Sequence, residues 1–583
     1  ALALAGGDRC DGGAEWLAGV WDDARRDAAR AAFRATGASF AEAAWQGVAR
    51  RLDERAAAVE SMHRAACEAT RVRGAQSERL LDLRMICLSR HVREIRAVTD
   101  LLVAADAAAV ERAIDAVDTL PPIARCADVE ALLADLPPPG DPEMSRAVEA
   151  VRRDLAGATA LQRLGRDAAG LAAADAAVLA ADRAGYRPAL AEAQLLRGRL
   201  QDLLERSAAA EASLLAAYTT AIAARHDIVA RDAAAELAAV TRARARLDAA
   251  ELWLEIAAAA LARVPDDEAA AYLDLVRSRV AWDRGRYAEA EALVERSVAA
   301  YDALHGPDNP ATARARQWLG TALWAHQDFE RSKAALVAAR AGLERIYGPD
   351  HPEVAAALRH EGNLYFVLTD LDAAVATYTR AADIMRRARG PDDPLVLTVQ
   401  GNIAAAYGRT GRIDDARRIF ETVLAGRERT LGPDHPELAG LLDNLALTYI
   451  QLRAFEAARA ALDRALAIRR RALGEGHVDV GRSLILLGEH GIATGDFDRA
   501  ITTLERAVAI RRTTDVHKLL VLRAQYNLAR ALWLSGRDRG RGRALLDEAI
   551  AGFAALGPSG SIDLENTRKW REEHVLGNRS GKP

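Results

Sequence analysis

The sequence predicts an all-α fold: a right-handed superhelix of stacked helix pairs (an α-α solenoid), preceded by a separate helical module. Three observations predict it. Half of the 583 residues are apolar but only 5% are aromatic, so the apolar half is led by Ala, with Leu and Val behind it. Ala, Leu, Arg and Glu head the order of helix propensity, whereas a β-sandwich or barrel wants β-branched and aromatic strands. A Gly-Pro-Asp triplet returns every 42 residues, and a second marker, the start of the later helix of each pair, keeps the same period. Two markers on one period mean an internal repeat.

Charge and hydropathy exclude several function classes. Lys+Arg 79 against Asp+Glu 83 leaves a net charge of −4, whereas a nucleic-acid binder shows a basic excess. No stretch reaches the roughly 18 apolar residues that a membrane span needs, so no direct membrane contact is expected of this chain. Ala1–Gly7 is too short and lacks the basic start of a complete signal peptide. Residues 1–9 read as a leftover linker or membrane-proximal segment.

Residues 10–136 do not keep the 42-residue period but read as helices over 24–36, 40–73, 77–105 and 107–119, with a break at Leu120-Pro121-Pro122. This amino-terminal module holds all four cysteines. Residues 137–142 form a Pro-rich linker. Residues 143–263 read as two to three degenerate repeats, with helix starts near Gly165–Ala169 and Leu247–Ala250.

The regular array spans 264–557. Gly306, Gly348, Gly390, Gly432 and Gly474 mark its clock, with Pro and Asp following the first four. Gly348 is expected to end a helix in a left-handed conformation, Pro349 to stop its continuation, and Asp350 and His351 to stand where an N-cap is needed. Pro352 suits the first turn of the next helix, which runs to about Leu368; its partner runs from about Leu371 to Arg387. Residues 558–576 read as a capping helix, which a solenoid end requires, and 577–583 as a frayed, disordered tail.

These units resemble the tetratricopeptide repeat family in the 42-residue form of kinesin light chains. That family sets small residues at the eighth and twentieth positions, an aromatic at the eleventh, a large residue at the twenty-fourth and Ala at the twenty-seventh. One unit here has Gly362, Tyr365, Ala374, Tyr378 and Ala381; the next has Ala404, Tyr407, Ala416, Phe420 and Val423. The resemblance implies that the first helix of each pair lines a concave groove that binds a peptide or protein. Its inward positions hold Arg314, Trp318, Trp324, Arg359, Asn363, Phe366, Asn402, Arg409, Asn444, Arg523, Asn527, Arg530 and Trp533. Asn and Arg offer several hydrogen-bond donors to a peptide, and Trp and Phe offer flat apolar contact.

A second resemblance lies in the module. Cys10, Trp16–Asp22, Cys67–Thr70, Gln76–Leu88 and Cys126–Asp128 are similar to the region after the membrane helix of bacterial transmembrane Ser/Thr protein kinases. It implies that the chain is the non-catalytic, regulatory region of such a kinase, on the extracytoplasmic (periplasmic) side; a cytoplasmic location is the alternative.

Other motifs carry less. No Gly-rich phosphate loop with a strand lysine and no His-Arg-Asp loop is present, so no catalytic residue is expected in this chain. Gly495-Asp496-Phe497-Asp498 falls on the repeat clock as an interhelix turn. Cysteine spacings of 57, 20 and 39 do not resemble a zinc set. An even cysteine count in one module fits two disulfides outside the cytoplasm, preferably Cys67–Cys87 and Cys10–Cys126; the other pairings and free buried thiols stay open. His305, His351, His435 and His477, at successive junctions, are expected to cap helices rather than share a metal. Arg537, Arg539, Arg541 and Arg543 are expected to lengthen the last interhelix turn. No metal and no cofactor are expected. The reading is a protein-interaction module, with a self-associating scaffold as the alternative.

Overall fold

The computed structural model describes residues 10, 12–129, 132, 139–325, 327–512, 518–556 and 561–576. The segment 1–9, residues 137 and 138 of the 137–142 linker, the start of 558–576 and the tail 577–583 lie outside the described residues. Every regular element among the described residues is a helix. The chain forms two units, Ala1–Leu368 and Thr369–Pro583.

The first unit opens with the module: α1 (Asp23–Ala35), α2 (Ala41–Cys67), α3 (Glu78–Leu102) and α4 (Ala107–Asp118). Three of them, α1, α3 and α4, start where a short polar side chain accepts from a free backbone N–H. Asp22 accepts from Arg25 N at 2.9 Å, and Asp106 from Ala109 N at 2.9 Å. Trp21, Phe33 and Trp45 are buried together, with ring centroids 6.1 and 5.7 Å apart.

Both expected disulfide pairings are corrected. The bonds are Cys10–Cys67 and Cys87–Cys126. Beyond Cys67, α2 continues as a π-helical turn, Glu68–Val72, and α3 begins at Glu78. Counted back from that turn, Cys67 stands level with residue 83 of α3. Cys87 lies roughly 6 Å further on, one helical turn out of register, at 1.5 Å per residue. The amino-terminal stretch instead packs along α2, with Trp16 against His63 at 5.4 Å, which delivers Cys10 to Cys67. The 3₁₀ turn Ile123–Ala127 lies by α3 and delivers Cys126 to Cys87.

Helix pairs follow: α5 (Pro142–Arg163) with α6 (Asp167–Ala184), α7 (Arg187–Leu203) with α8 (Ser207–Ala224), and α9 (Asp227–Ala243) with α10 (Leu247–Arg263). Then come α11 (Asp267–Asp283) with α12 (Tyr287–His305), α13 (Pro310–Ala325) with α14 (Phe329–Tyr347), and α15 (Pro352–Val367). The second unit holds α16 (Leu371–Arg389), α17 (Pro394–Arg409) with α18 (Ile413–Leu431), and α19 (Leu438–Gln451) with α20 (Phe455–Leu473). It continues with α21 (Val478–Thr494) and α22 (Phe497–Arg512), α23 (Lys518–Ser535) and α24 (Arg539–Ala555), and α25 (Ser561–Arg571), which packs on α24.

The turn inside each pair holds one residue at positive φ: Gly165, Glu205, Ala245 and Gly285, then Gln327, Thr369, Gly411, Arg453, Gly495 and Gly536. The spacing is 40 residues up to Gly285, 42 from there to Gly495, and 41 on to Gly536. The two residues are lost between pairs. Only Gly185 and Tyr186 separate α6 from α7, whereas four residues separate α12 from α13. In the longer turns Gly348 adopts φ 87°, ψ 160°, and Gly432 the same angles. This differs from the expected left-handed helical conformation: it is a region essentially closed to residues with a Cβ. The Asp of the triplet then pairs with an Arg 37 residues later: Asp308–Arg345 at 2.7 Å, Asp392–Arg429 at 2.6 Å and Asp434–Arg471 at 2.8 Å.

Within pairs, the eighth-position residue packs against a large side chain sixteen residues on. A Cβ on Gly198, Gly320 or Gly488 would sit 2.6, 2.6 or 2.4 Å from Cγ of Leu214, Leu336 or Leu504. The same contact therefore holds in the 40-residue pairs.

The last turn is not lengthened by its arginines. It spans three residues, as most of the others do, because α24 starts at Arg539 with Asp538 accepting from Arg541 N at 2.8 Å.

Candidate functional site

In each unit, the first helix of a pair touches the first helix of the next: α5 with α7, α7 with α9 and α9 with α11, and likewise α17 with α19 and α19 with α21. These helices form the inner face, and in the first unit one repeat position runs along it. Arg152, Glu192, Asp232 and Tyr272 stand at steps of 40, and Arg314 follows at the next step of 42.

The line is an ionic network. Arg152 Nη2 donates to Glu192 Oε1 at 3.0 Å, and His226 Nε2 lies 3.3 Å from the same oxygen. Burial pushes the Glu192 carboxyl up, but the His226 hydrogen bond and the Arg152 charge outweigh it and leave it below the ordinary value. Arg199 Nε donates to Glu236 Oε1 at 2.9 Å, and Tyr272 Oη donates to Glu236 Oε2 at 3.2 Å. The Glu236 charge, then burial, raise the Tyr272 phenol far above its usual range.

The amino-terminal module sits against this face. Arg163 pairs with Glu94 at 3.2 Å and donates to the Thr119 carbonyl at 3.1 Å; Arg166 pairs with Asp106 at 3.2 Å. At α13–α15, Arg314 Nη2 donates to Asp115 Oδ2 at 2.7 Å, and Tyr347 Oη donates to Asp115 Oδ1 at 2.6 Å. His351 Nδ1 accepts from Glu353 N at 3.1 Å, capping α15, so its Nε2–H is the donor to the Glu111 carbonyl at 3.1 Å. Phe40 packs on His351 at 4.9 Å. His477 caps α21 as expected, accepting from Asp479 N at 3.2 Å. His435 does not: it accepts from Glu437 N at 3.3 Å, but α19 starts only at Leu438, with Glu437 as a cap position that no side chain bonds. His305 is the last residue of α12 and lies 3.5 Å from Glu268.

Residues 277–341, 315–387, 353–429, 395–471 and 437–513 each match the model of the tetratricopeptide repeat family. Residues 277–513 are tetratricopeptide repeats. Among solved structures, BtubC (BKLC) from P. vanneervenii is 25% identical, with 40% of this chain and 92% of that one covered and a TM-score of 0.35. A putative kinesin light chain with nearly identical TPR-like repeats from Podosopora anserina is 25% identical over 36% of this chain and 99% of that one, TM-score 0.31. A Rap protein complexed with competence and sporulation factor is 14% identical over 60% and 99%, TM-score 0.39. Among curated proteins none matches.

The tetratricopeptide groove candidates divide between the units, and several serve the protein itself. Arg314 is taken by Asp115. Trp318 donates to Ser278 Oγ at 2.6 Å and packs on Trp282 at 5.4 Å. Trp324 is half-buried on the same helix. Arg359, Asn363 and Phe366 share one face of α15, where Arg359 donates to His360 Nε2 at 2.7 Å. Burial, then the Arg359 charge, lower His360 to about 4.

In the second unit, Arg523 forms a two-pronged bond with Asp563 of the capping helix, 2.9 Å for each prong. Asn527 donates to Glu489 at 2.8 Å and accepts from Arg530 at 2.9 Å. Trp533 carries the Arg539 guanidinium at 5.5 Å. Asn402 and Asn444 are half-buried on adjacent first helices, and Arg409 is exposed.

Sequence reading missed Asp115, Glu192, His226, Glu236 and Tyr272. For Glu192 and Tyr272 a signal was present, because stepping back from Arg314 by 42 and then 40 reaches Tyr272, Asp232, Glu192 and Arg152; Asp115, His226 and Glu236 lie off that series. Cys87, His91 and Cys126 bring potential ligand atoms within 4.8 Å of one another, but the two sulfurs are bonded to each other. No described helix is long and apolar enough to cross a membrane.

Proposed function

We propose that the second unit recognises an extended peptide segment of a protein partner along the inner face of α17 and α19. One observation carries this reading: Asn402 and Asn444 recur 42 residues apart at one repeat position, on first helices that touch. Each amide offers a donor and an acceptor to a peptide backbone. In the first unit the module's own contacts occupy part of the inner face, at Arg163, Arg166 and Arg314. Peptides selected from a random library should bind the chain and lose at least about tenfold in affinity to Asn402→Ala/Asn444→Ala. Selected peptides that ignore both substitutions would sink the reading.

The same reading makes the chain the regulatory region of a membrane-anchored bacterial Ser/Thr protein kinase, on its extracytoplasmic side. The module motifs around Trp16–Asp22 and Gln76–Leu88 support it, and two disulfides suit an oxidising compartment. The gene sequence before Ala1 tests it: a kinase domain and a membrane helix are expected there.

A self-associating scaffold is the second reading. Leu179, Leu215, Ile222 and Leu252 favour it, being exposed on α6, α8 and α10. Light scattering across concentrations decides: a constant monomer removes this reading.

A further inference from the structure

A cavity of about 410 Å³ lies between the end of α4, the inner face of α7, α9 and α11, and the partner helices α10 and α12. Its size is that of a small-molecule pocket. Four carboxylates line it, Asp232 and Glu236 from α9 and Asp266 and Glu268 at the start of α11, against two guanidiniums, Arg199 and Arg231. Each guanidinium serves two carboxylates. Arg199 lies 2.9 Å from Glu236 and 3.6 Å from Asp232, and Arg231 lies 2.9 Å from Asp232 and 3.3 Å from Asp266. The ion partner of Glu268 is a histidine, His305, at 3.5 Å. With His305 neutral, the lining therefore keeps two negative charges in excess after every pairing is counted. Just outside it, Asp202 is close enough to interact with Glu236, and Arg279 with Tyr272 and Tyr301, and these two opposite charges offset each other.

Tyr301 points the same way. It lines the cavity at 6% exposure, and its hydroxyl has no hydrogen-bond partner among the described residues. A buried hydroxyl left without a partner is costly, and a ligand N–H would supply one. Burial, then the Glu268 charge, push its phenol up to about 12. Ala257, Leu261 and Leu273 give the lining an apolar part, which suits a short methylene chain. Among the described residues, no three of these carboxylates bring their oxygens close enough together to hold a metal ion. In a partly desolvated space, attraction between opposite charges is stronger than in water.

We infer that this cavity binds a small organic dication, an aliphatic diamine in its chemistry, with its ammonium groups on the carboxylates and the Tyr301 hydroxyl. None of these residues is a peptide-groove candidate, and the inference stands without the peptide reading.

Calorimetric titration of the whole chain with 1,4-diaminobutane tests it, at fixed ionic strength and at about pH 8, where an ordinary histidine is neutral. The diamine should bind saturably with Kd below about 1 mM, and Glu268→Gln and Tyr301→Phe should each weaken it by about fivefold or more. Glu268 is exposed and Tyr301→Phe keeps the buried ring, so both variants are expected to fold, which circular dichroism checks. The neutral 1,4-butanediol should not bind. Failure of the diamine to bind, equal binding of the diol, or binding indifferent to both substitutions each overturns the inference. Saturable magnesium binding in place of the diamine would make this a metal site, and tighter binding of acetyl-lysine methylamide would make it a site for a partner's lysine side chain; either result also overturns it.

Discussion

Arg314 and Asp115, 199 positions apart in sequence, meet at 2.7 Å. The contact joins the module to α13. Tyr347 closes it from α14, and Asp115 is only 9% exposed. Removing a partly buried carboxylate leaves a guanidinium and a buried phenol without their acceptor. Asp115→Ala should cost about 1–3 kcal/mol in denaturant unfolding of the first unit. In a double-mutant cycle with Arg314→Ala, a coupling near zero would show that the pair does not hold the module.

The disulfides make a covalent prediction. A non-reducing peptide map should find Cys10 joined to Cys67 and Cys87 to Cys126. The bonds close loops of 57 and 39 residues, and loop-closure entropy of that size corresponds to about 4 kcal/mol each as an upper bound. Reduction should lower the unfolding midpoint of the first unit and leave that of the second unchanged.

Acid should weaken the first unit. His91 and His360 are lowered from 6.5 to about 4. Between those values the unfolded chain binds protons that the folded chain refuses. The stabilisation is therefore complete above pH 6.5 and is lost as pH falls toward 4, on the order of 2–3 kcal/mol for each group. Stability curves between pH 4 and 7 should show this slope, and His91→Gln should flatten it.

Two helix-interior glycines should respond oppositely to Ala. At Gly488 the new Cβ would meet Leu504 at 2.4 Å, whereas at Gly401 nothing lies within 4 Å. Gly488→Ala should destabilise the second unit by about 1–3 kcal/mol through overpacking. Gly401→Ala should stabilise it by up to about 1 kcal/mol through helix propensity. Equal effects would mean that the eighth-position contact is not tight.

Much of the repeat was legible in sequence. Local turn chemistry and small-to-large packing sixteen residues apart are short-range and recur, so the 42-residue clock exposed them. The 40-residue pairs were less legible. Their connecting turns lack the Gly-Pro-Asp triplet, and a fixed period of 42 slips out of register there. The groove candidates were read position by position, and that logic has no access to partners elsewhere in the chain. Arg314, Arg523 and Asn527 therefore looked available, although Asp115, Asp563 and Glu489 hold them.

The sequence by itself determined the helices, their pairing and the small residues at their crossings, because hydrophobic period, caps and glycine conformations act within one repeat. Tertiary structure decided which cysteines join, where the module docks and which carboxylates surround one cavity. Those outcomes depend on helix register and on contacts up to 240 positions apart, for which no local pattern in the chain carries a signal.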